Sequence, residues 1–257
     1  CKVVANFRQA DITNGGHGAP LTPIYHHALV NAEGLYPAVI INCGGIANIS
    51  IVTGPDSRTL MAYDAGPGNV LLDRFVRQST LGQKSYDQDG ELALRGTISN
   101  DMLAVLKTQA LPRGFMGSAP PKSLDSHDCH LPEAFHQLTL HDGLATLAAF
   151  TAECLVLSLA QALPLNTPIK HVILAGGGWY HPVILREFKQ RLTALLNDTI
   201  QISTAKQLGW QQDLLEAEAF AYLAKRSLLA LPLSMPLTTG VTQAQTGGEC
   251  FMPEQTP

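Results

Sequence analysis

The sequence predicts an α/β fold, and three observations carry that prediction. Apolar runs at 38–41 and 172–175 have strand length and lead into glycine-rich turns. Unbroken hydrophobicity of this kind suits buried strands. Segments at 69–79 and 181–195 read as helices after such turns, and strand-like and helix-like segments alternate along the chain. With 257 residues, 46% of them hydrophobic and 15% charged, the chain can bury a sizeable core in one large or two ordinary domains.

In chain order, residues 2–5 read as a strand. Residues 11–23 form a loop rich in glycine and proline, and 24–31 form a short helix. The run at 38–41 is a buried strand, and 49–53 and 59–63 are shorter ones. Within 69–79, Val70, Leu71, Phe75 and Val76 face inward. The polar stretch 86–96 connects into a helix over 101–109. Residues 111–132 are irregular and hold four of the sixteen prolines, a length typical of functional or mobile loops. A helical turn at 133–138 precedes a long apolar helix capped by Asp142. The strand at 171–175 breaks at Gly176-Gly177-Gly178. An amphipathic helix over 181–195, a strand at 200–203 and a helix over 213–230 follow. Residues 231–257, rich in Pro, Thr and Gly, read as a tail. No internal repeat is present.

Composition excludes several function classes. A net charge of −4 gives no electrostatic reason to bind nucleic acid. The five cysteines (Cys1, Cys43, Cys129, Cys154, Cys250) are scattered without CxxC spacing. Neither a zinc site nor a disulfide framework is expected, and a reducing cytoplasm is the default compartment. The stretch 144–163 is apolar enough to raise a membrane-spanning reading. Glu153 lies in its middle, and Thr146, Thr151, Ser158 and Gln161 also interrupt it, so a buried helix of a soluble protein is expected instead. The adjacent His26-His27 is not read as a metal site, because neighbouring helical positions do not face one way.

The chemistry concentrates in two loops. One is Ile41-Asn42-Cys43-Gly44-Gly45-Ile46-Ala47-Asn48, the other Tyr63-Asp64-Ala65-Gly66-Pro67-Gly68-Asn69. Gly44-Gly45 between two strands is either a plain hairpin turn or a turn whose N–H groups bind phosphate oxygens, with the amides of Asn42 and Asn48 beside it. Gly176-Gly177-Gly178 between strand and helix suggests flat backbone against an adenine ring or sugar at a helix N-terminus; the alternative is a loop with incidental glycines. Asp64, just before Gly66-Pro67-Gly68, is the candidate general base, and an Asx-turn or helix cap is its bland alternative. Phosphoryl transfer needs such a base, positioning, and charge neutralisation by Mg²⁺, so the pattern suggests a phosphotransferase. Arg8 can hold a carboxylate or phosphate, or form a surface ion pair with Asp11. Glu216 shares a helical face with Asp213 and Ala217, where acids also stabilise the helix dipole.

Together these strings resemble the anhydro-N-acetylmuramic acid kinases, a branch of the sugar kinase/Hsp70/actin ATPase superfamily. The strings are Phe7-Arg8…Asp11-Ile12…Gly15-Gly16-His17-Gly18-Ala19-Pro20-Leu21, Asn42-Cys43-Gly44-Gly45-Ile46-Ala47-Asn48-Ile49-Ser50, Asp64-Ala65-Gly66-Pro67-Gly68-Asn69…Asp73, Pro121-Lys122-Ser123, Gly176-Gly177-Gly178 and Glu216-Ala217…Ala219-Phe220. The resemblance implies a ribonuclease H-like, actin-like ATPase lobe with a mixed sheet flanked by helices. It implies an ATP- and Mg²⁺-dependent enzyme that hydrolyses the 1,6-anhydro bond of 1,6-anhydro-N-acetylmuramic acid and phosphorylates O6, in recycling of the bacterial cell wall. Asp64 matches the aspartate that activates the attacking water, and Glu216 matches an acidic residue beside the sugar. Asn42, Gly44 and Gly45 fall in the second phosphate loop, and Gly176, Gly177 and Gly178 in the adenosine loop. Arg8, Asp11, Gly66 and Asn69 fall in the substrate-binding set.

Residues 1–35 are then expected to end an N-terminal lobe and hinge, 36–230 to form the C-terminal ATPase lobe, and 231–257 to return to the N-terminal lobe. The Gly-Thr-Ser-X-Asp-Gly loop that opens the family does not occur, so the chain reads as a C-terminal fragment, inactive alone. Asn6 stands for a common aspartate, His17 for a usual glutamine and His181 for a frequent asparagine. Leu124-Asp125-Ser126-His127 lacks the arginine common after Lys-Ser, which puts a role for that loop in doubt. Alternative readings are another sugar kinase of the superfamily or a non-catalytic nucleotide-binding remnant. The expected partners are the amino sugar and ATP, with no nucleic acid or membrane, and with a homodimer left open.

Overall fold

The structure is a computed structural model and describes residues 2–163, 169–195 and 200–252. Three strands, β2 (Ala38–Cys43), β3 (Ile46–Val52) and β4 (Met61–Pro67), form an antiparallel meander that follows the short β1 (Val3–Ala5). β5 (His171–Ala175) lies parallel to β2, and β6 (Gln201–Thr204) parallel to β5. The spatial order β4-β3-β2-β5-β6 is the ribonuclease H-like arrangement that the resemblance implies.

Side chains alternate across a strand, and here both faces are covered. Val39, Ile41, Cys43, Ile49, Ile51 and Tyr63 pack against α3 (Val70–Ser79), α5 (Leu140–Ala162) and α6 (Pro182–Leu195). Ala38, Ile40, Val52, Leu60 and Ile173 face α2 (Pro23–Glu33) and α7 (Leu215–Leu228). Burial on both faces is why the 38–41 run is continuous rather than alternating.

The 23-residue α5 is long and apolar enough, by length and composition, to cross a membrane, yet it is buried in the core. Its polar residues explain its place. Thr151 Oγ1 donates to the Gly68 carbonyl at 2.8 Å, and Ser158 Oγ to the Ala65 carbonyl at 2.9 Å. Glu153 sits at the rim between Lys107 and Arg191. The cap differs from the sequence expectation: Thr139 is the N-cap and accepts from the Asp142 N–H, while the Asp142 carboxylate accepts from the Thr97 N–H. Thr139, like Asp142, is a residue type that caps well, and spacing to the first apolar residue does not distinguish them.

Other boundaries shift too. β3 begins at Ile46 and β4 runs on to Pro67, so Asp64 lies inside a strand rather than at its end. The 111–132 stretch holds only short 3₁₀ turns, pinned by Arg74, which donates to the carbonyls of Cys129 and Ser126. The expected tail carries regular structure. It contains α8 (Pro236–Thr239), and its strand β7 (Glu249–Phe251) pairs antiparallel with β1. Cys1 and the end of that tail, 253–257, lie outside the described residues.

Candidate active site

Asn42, Asn48 and Asp64 are cross-strand neighbours on β2, β3 and β4. They occupy the face covered by α2 and α7, at the point where apolar packing gives out. A bulge in the β3–β4 pairing falls between Ala47 and Asn48; such bulges re-aim side chains beside functional sites. The row forms part of the wall of a cleft of about 530 Å³.

Asp64 is 7% exposed. Its Oδ2 accepts from the Leu124 N–H at 2.9 Å and the Ser123 hydroxyl at 3.2 Å, and its own N–H donates to the Lys122 carbonyl at 2.9 Å. Oδ1 takes no bond from the described residues and is left to the cleft. Burial pushes its pKa up, against the opposing pull of those two hydrogen bonds and of Arg8 and His17 nearby. A carboxylate held by one oxygen, with the other open and its affinity for a proton raised, has the makings of a general base. The 122–124 segment is anchored by Lys122, whose Nζ donates to the Phe115 carbonyl at 3.0 Å and lies 4.5 Å from the Phe115 ring centre. The loop whose role the sequence left in doubt therefore holds Asp64.

Gly44-Gly45 is a hairpin turn in which both carbonyls point back into the fold. Gly45 O accepts from the N–H groups of Gly68 and Val70, and Gly44 O from that of Asn69. A Cβ on Gly68 would overlap the Gly44 carbonyl oxygen, so only glycine permits this approach. With the carbonyls so engaged, the Gly44 and Gly45 N–H groups have no acceptor among the described residues. That is the donor arrangement of an anion-binding turn. Gly176 adopts φ +90°, and a Cβ there would lie 2.6 Å from Asn42 Oδ1. Gln212 donates to its carbonyl at 3.1 Å. Trp179 Nε1 donates to the Ile41 carbonyl, fastening the glycine turn to β2. Gly177 is shared by the cleft and a second hollow of about 460 Å³, which α3, the 85–89 loop, Tyr180 and His181 enclose.

The cleft thus gathers Arg8, Asn42, Gly44, Gly45, Asp64, Gly176, Gly177 and Glu216 from five separate parts of the chain. Four sequence candidates lie elsewhere. Asp11, expected in the substrate-binding set, is buried, and its carboxylate accepts from Gly18 N–H at 2.7 Å and from the hydroxyls of Ser234 and Thr239 at 2.5 Å each. It organises the 15–18 loop against the returning tail and forms no ion pair with Arg8, which donates instead to the Gly18 carbonyl at 2.7 Å. Gly66 and Gly178 are buried behind the cleft, packed on Cys154 and Cys43. Asn69 lines the second hollow. Sequence reasoning weighed His26, which lines the cleft from α2, only as half of a metal pair, and passed over Asp87, whose carboxylate holds the wall of the hollow.

The fold is ribonuclease H-like: a mixed sheet with glycine turns at its strand ends around a buried carboxylate. The comparisons with known proteins narrow this class. Residues 1–253 match the family model for anhydro-N-acetylmuramic acid kinase. Proteins of that name are similar to the chain: 40% identical in Caulobacter vibrioides, over 96% of this chain and 62% of the relative, and 42% in Rhodopseudomonas palustris, over 96% and 63%. The Phenylobacterium zucineum relative is 39% identical over 98% and 64%. The chain belongs to the anhydro-N-acetylmuramic acid kinase family, and it spans a little under two thirds of the length of these curated relatives.

Proposed function

We propose that the whole protein is an ATP-dependent kinase that opens the 1,6-anhydro bond of 1,6-anhydro-N-acetylmuramic acid with water and transfers the γ-phosphoryl group to O6. The single observation that carries this reading is the pairing, in one cleft, of Asp64 Oδ1 with the free N–H groups of the Gly44-Gly45 turn. In the proposed reaction Asp64 takes a proton from water as the water oxygen bonds to C1 of the sugar. The C1–O6 bond breaks, its electrons stay on O6, and O6 attacks the γ-phosphorus. The bond to the β–γ bridging oxygen breaks and ADP leaves; the proton on Asp64 returns to solvent. The products are N-acetylmuramic acid 6-phosphate and ADP.

In this reading the phosphates sit over Gly44, Gly45 and Asn42. The nucleoside runs across Gly177 toward the hollow lined by Asn69, Tyr180 and His181. Arg8 and Glu216 face the sugar. Magnesium would enter on the nucleotide and neutralise its phosphates. Asp213 lines the same cleft, and one carboxylate plus phosphate oxygens is a ligand set this ion takes. The β1–β7 pair and α8 would belong with the N-terminal lobe, 36–230 forming the ATPase lobe. The enzyme would work in the cytoplasm, where its nucleotide is made. The test is a coupled ADP-release assay of the full-length protein with Mg-ATP and the anhydro sugar. Sugar-dependent ADP release supports the reading, and ADP release equal with and without the sugar overturns it.

A further inference from the structure

His26 has no part in the reaction above, yet it lines the same cleft. It lies on α2 and is 3% exposed, and it lines the cleft together with Arg8, Asp64 and Glu216. Its Nδ1 is 3.0 Å from Ser50 Oγ. Ser50 is fully buried, and among the described residues His26 is the one group within hydrogen-bond reach of its hydroxyl. A buried hydroxyl with a single neighbour donates its proton there, because an unmet donor is the costlier orphan. Nδ1 is then the acceptor, and the ring proton of the uncharged imidazole sits on Nε2. Nε2 has no partner in the described chain and is not among its enclosed, unpartnered polar atoms, so it is the ring nitrogen that the cleft reaches.

We propose that His26 is a further substrate-binding residue, presenting its Nε2–H as a hydrogen-bond donor to an oxygen of the acceptor sugar, with Ser50 fixing the tautomer. The sugar is favoured over the phosphates because His26 follows directly on the 19–22 segment that lines the cleft beside Arg8, whereas the turn N–H groups lie on the β2–β3 hairpin. Burial lowers the His26 pKa to about 4, so the donor stays uncharged through the physiological range. An uncharged donor can hold a hydroxyl or ether oxygen without competing with Arg8 for an anion. This inference rests on the kinase reading, but its test separates the two.

The first measurement is ¹⁵N NMR of histidine-labelled full-length protein. It should show His26 protonated on Nε2 and neutral down to about pH 5, whether or not the enzyme turns over, and the Nε2 resonance should move on adding 1,6-anhydro-N-acetylmuramic acid. A proton on Nδ1, or no movement of Nε2 with saturating sugar, would overturn the assignment. The second is steady-state kinetics. His26→Leu should raise the sugar KM about tenfold, the worth of one such hydrogen bond, and leave the ATP KM within about twofold; His26→Gln, which keeps an amide donor, should recover part of the loss. A folded His26→Leu enzyme with unchanged sugar KM, or with the ATP KM raised equally, would also sink the proposal. Failure of the wild-type enzyme to turn over the sugar would strike the kinase reading, leaving the NMR tautomer to decide the role of Ser50.

Discussion

Asp64 and Asp87 are both 7% exposed, and both hold a loop through hydrogen bonds, yet their affinities for a proton move in opposite directions. Asp64 accepts both of its bonds on Oδ2 and leaves Oδ1 to the cleft. For Asp64 burial wins, and the pKa rises. Asp87 uses both oxygens: Oδ1 accepts from the Leu92 N–H, Oδ2 from the Ala93 N–H, and His181 Nε2 lies 3.4 Å from Oδ2. Burial pushes Asp87 up as well, but His181 and the two backbone donors outweigh it and hold the carboxylate below its ordinary value. Burial alone therefore does not make a base. An acceptor oxygen left unmatched by any donor, as at Asp64 Oδ1, is the difference between the two. Asp64 keeps one oxygen open to the cleft, whereas both oxygens of Asp87 are engaged and fix the wall of the neighbouring hollow.

The sharpest break in this comparison is Asp64→Asn in the full-length enzyme. The amide can still accept from Leu124 and Ser123 but cannot take a proton, so turnover should fall about 10²–10⁴-fold. Removing a buried anion with a raised pKa should leave the melting temperature equal or higher. Near-normal product formation, followed by ADP release, would remove Asp64 from the mechanism.

Asp87→Ala should behave in the opposite way. It strips acceptors from the Leu92 and Ala93 N–H groups and removes the carboxylate beside His181, and should cost about 1–3 kcal/mol of stability by denaturant midpoint. The chemical step, measured in single turnover with saturating ATP, should change far less than in Asp64→Asn. A stability equal to wild type would mean that water takes over both N–H groups and that the lock is not needed.

Acid titration sharpens the pair further. The Asp87 pKa is depressed, so its contribution to stability is fully present above the ordinary value of 3.8 and is lost as pH falls through the lower folded value. Asp64 has the reverse sign. Its ionisation costs stability at neutral pH, and that cost disappears as pH falls through its raised value toward 3.8. The difference in stability between wild type and Asp64→Asn should thus narrow as pH falls in that window, whereas the difference between wild type and Asp87→Ala should narrow only below it. The acid limb of kcat should lie above 3.8 if Asp64 is the base.

The smallest expected effect is on stability in Glu216→Gln. Glu216 is exposed in the first turn of α7 and also lines the cleft. The dipole contribution alone predicts a loss of about 0.3–1 kcal/mol. A role beside the sugar predicts in addition a raised sugar KM with little change for ATP. Unchanged kinetics with a slightly lower melting temperature would reduce Glu216 to a helix-dipole residue.

The sequence by itself determined the strands at 38–41 and 172–175, the hairpin at Gly44-Gly45, the glycine turn after β5 and the prominence of Asp64. These are local signals. An apolar run needs covering on both faces, a pair of glycines between strands marks a turn, and a carboxylate next to a Gly-Pro-Gly string stands out without reference to any partner. The motif strings, read as a resemblance, also pointed to the family. What only the tertiary structure decided is how each polar side chain is spent. Asp11 read as a ligand contact, and in the fold Ser234, 223 residues away, donates to its carboxylate. The role of the 124–127 loop was in doubt until the Leu124 N–H met Asp64 Oδ2, and His26 looked like half of an unlikely metal pair until its Nδ1 came within 3.0 Å of Ser50 Oγ and the residue lined the cleft. Hydrogen-bond partners distant in sequence leave no local trace. Burial, which sets whether a proton is held or released, is a property of the packed molecule and not of any residue in it.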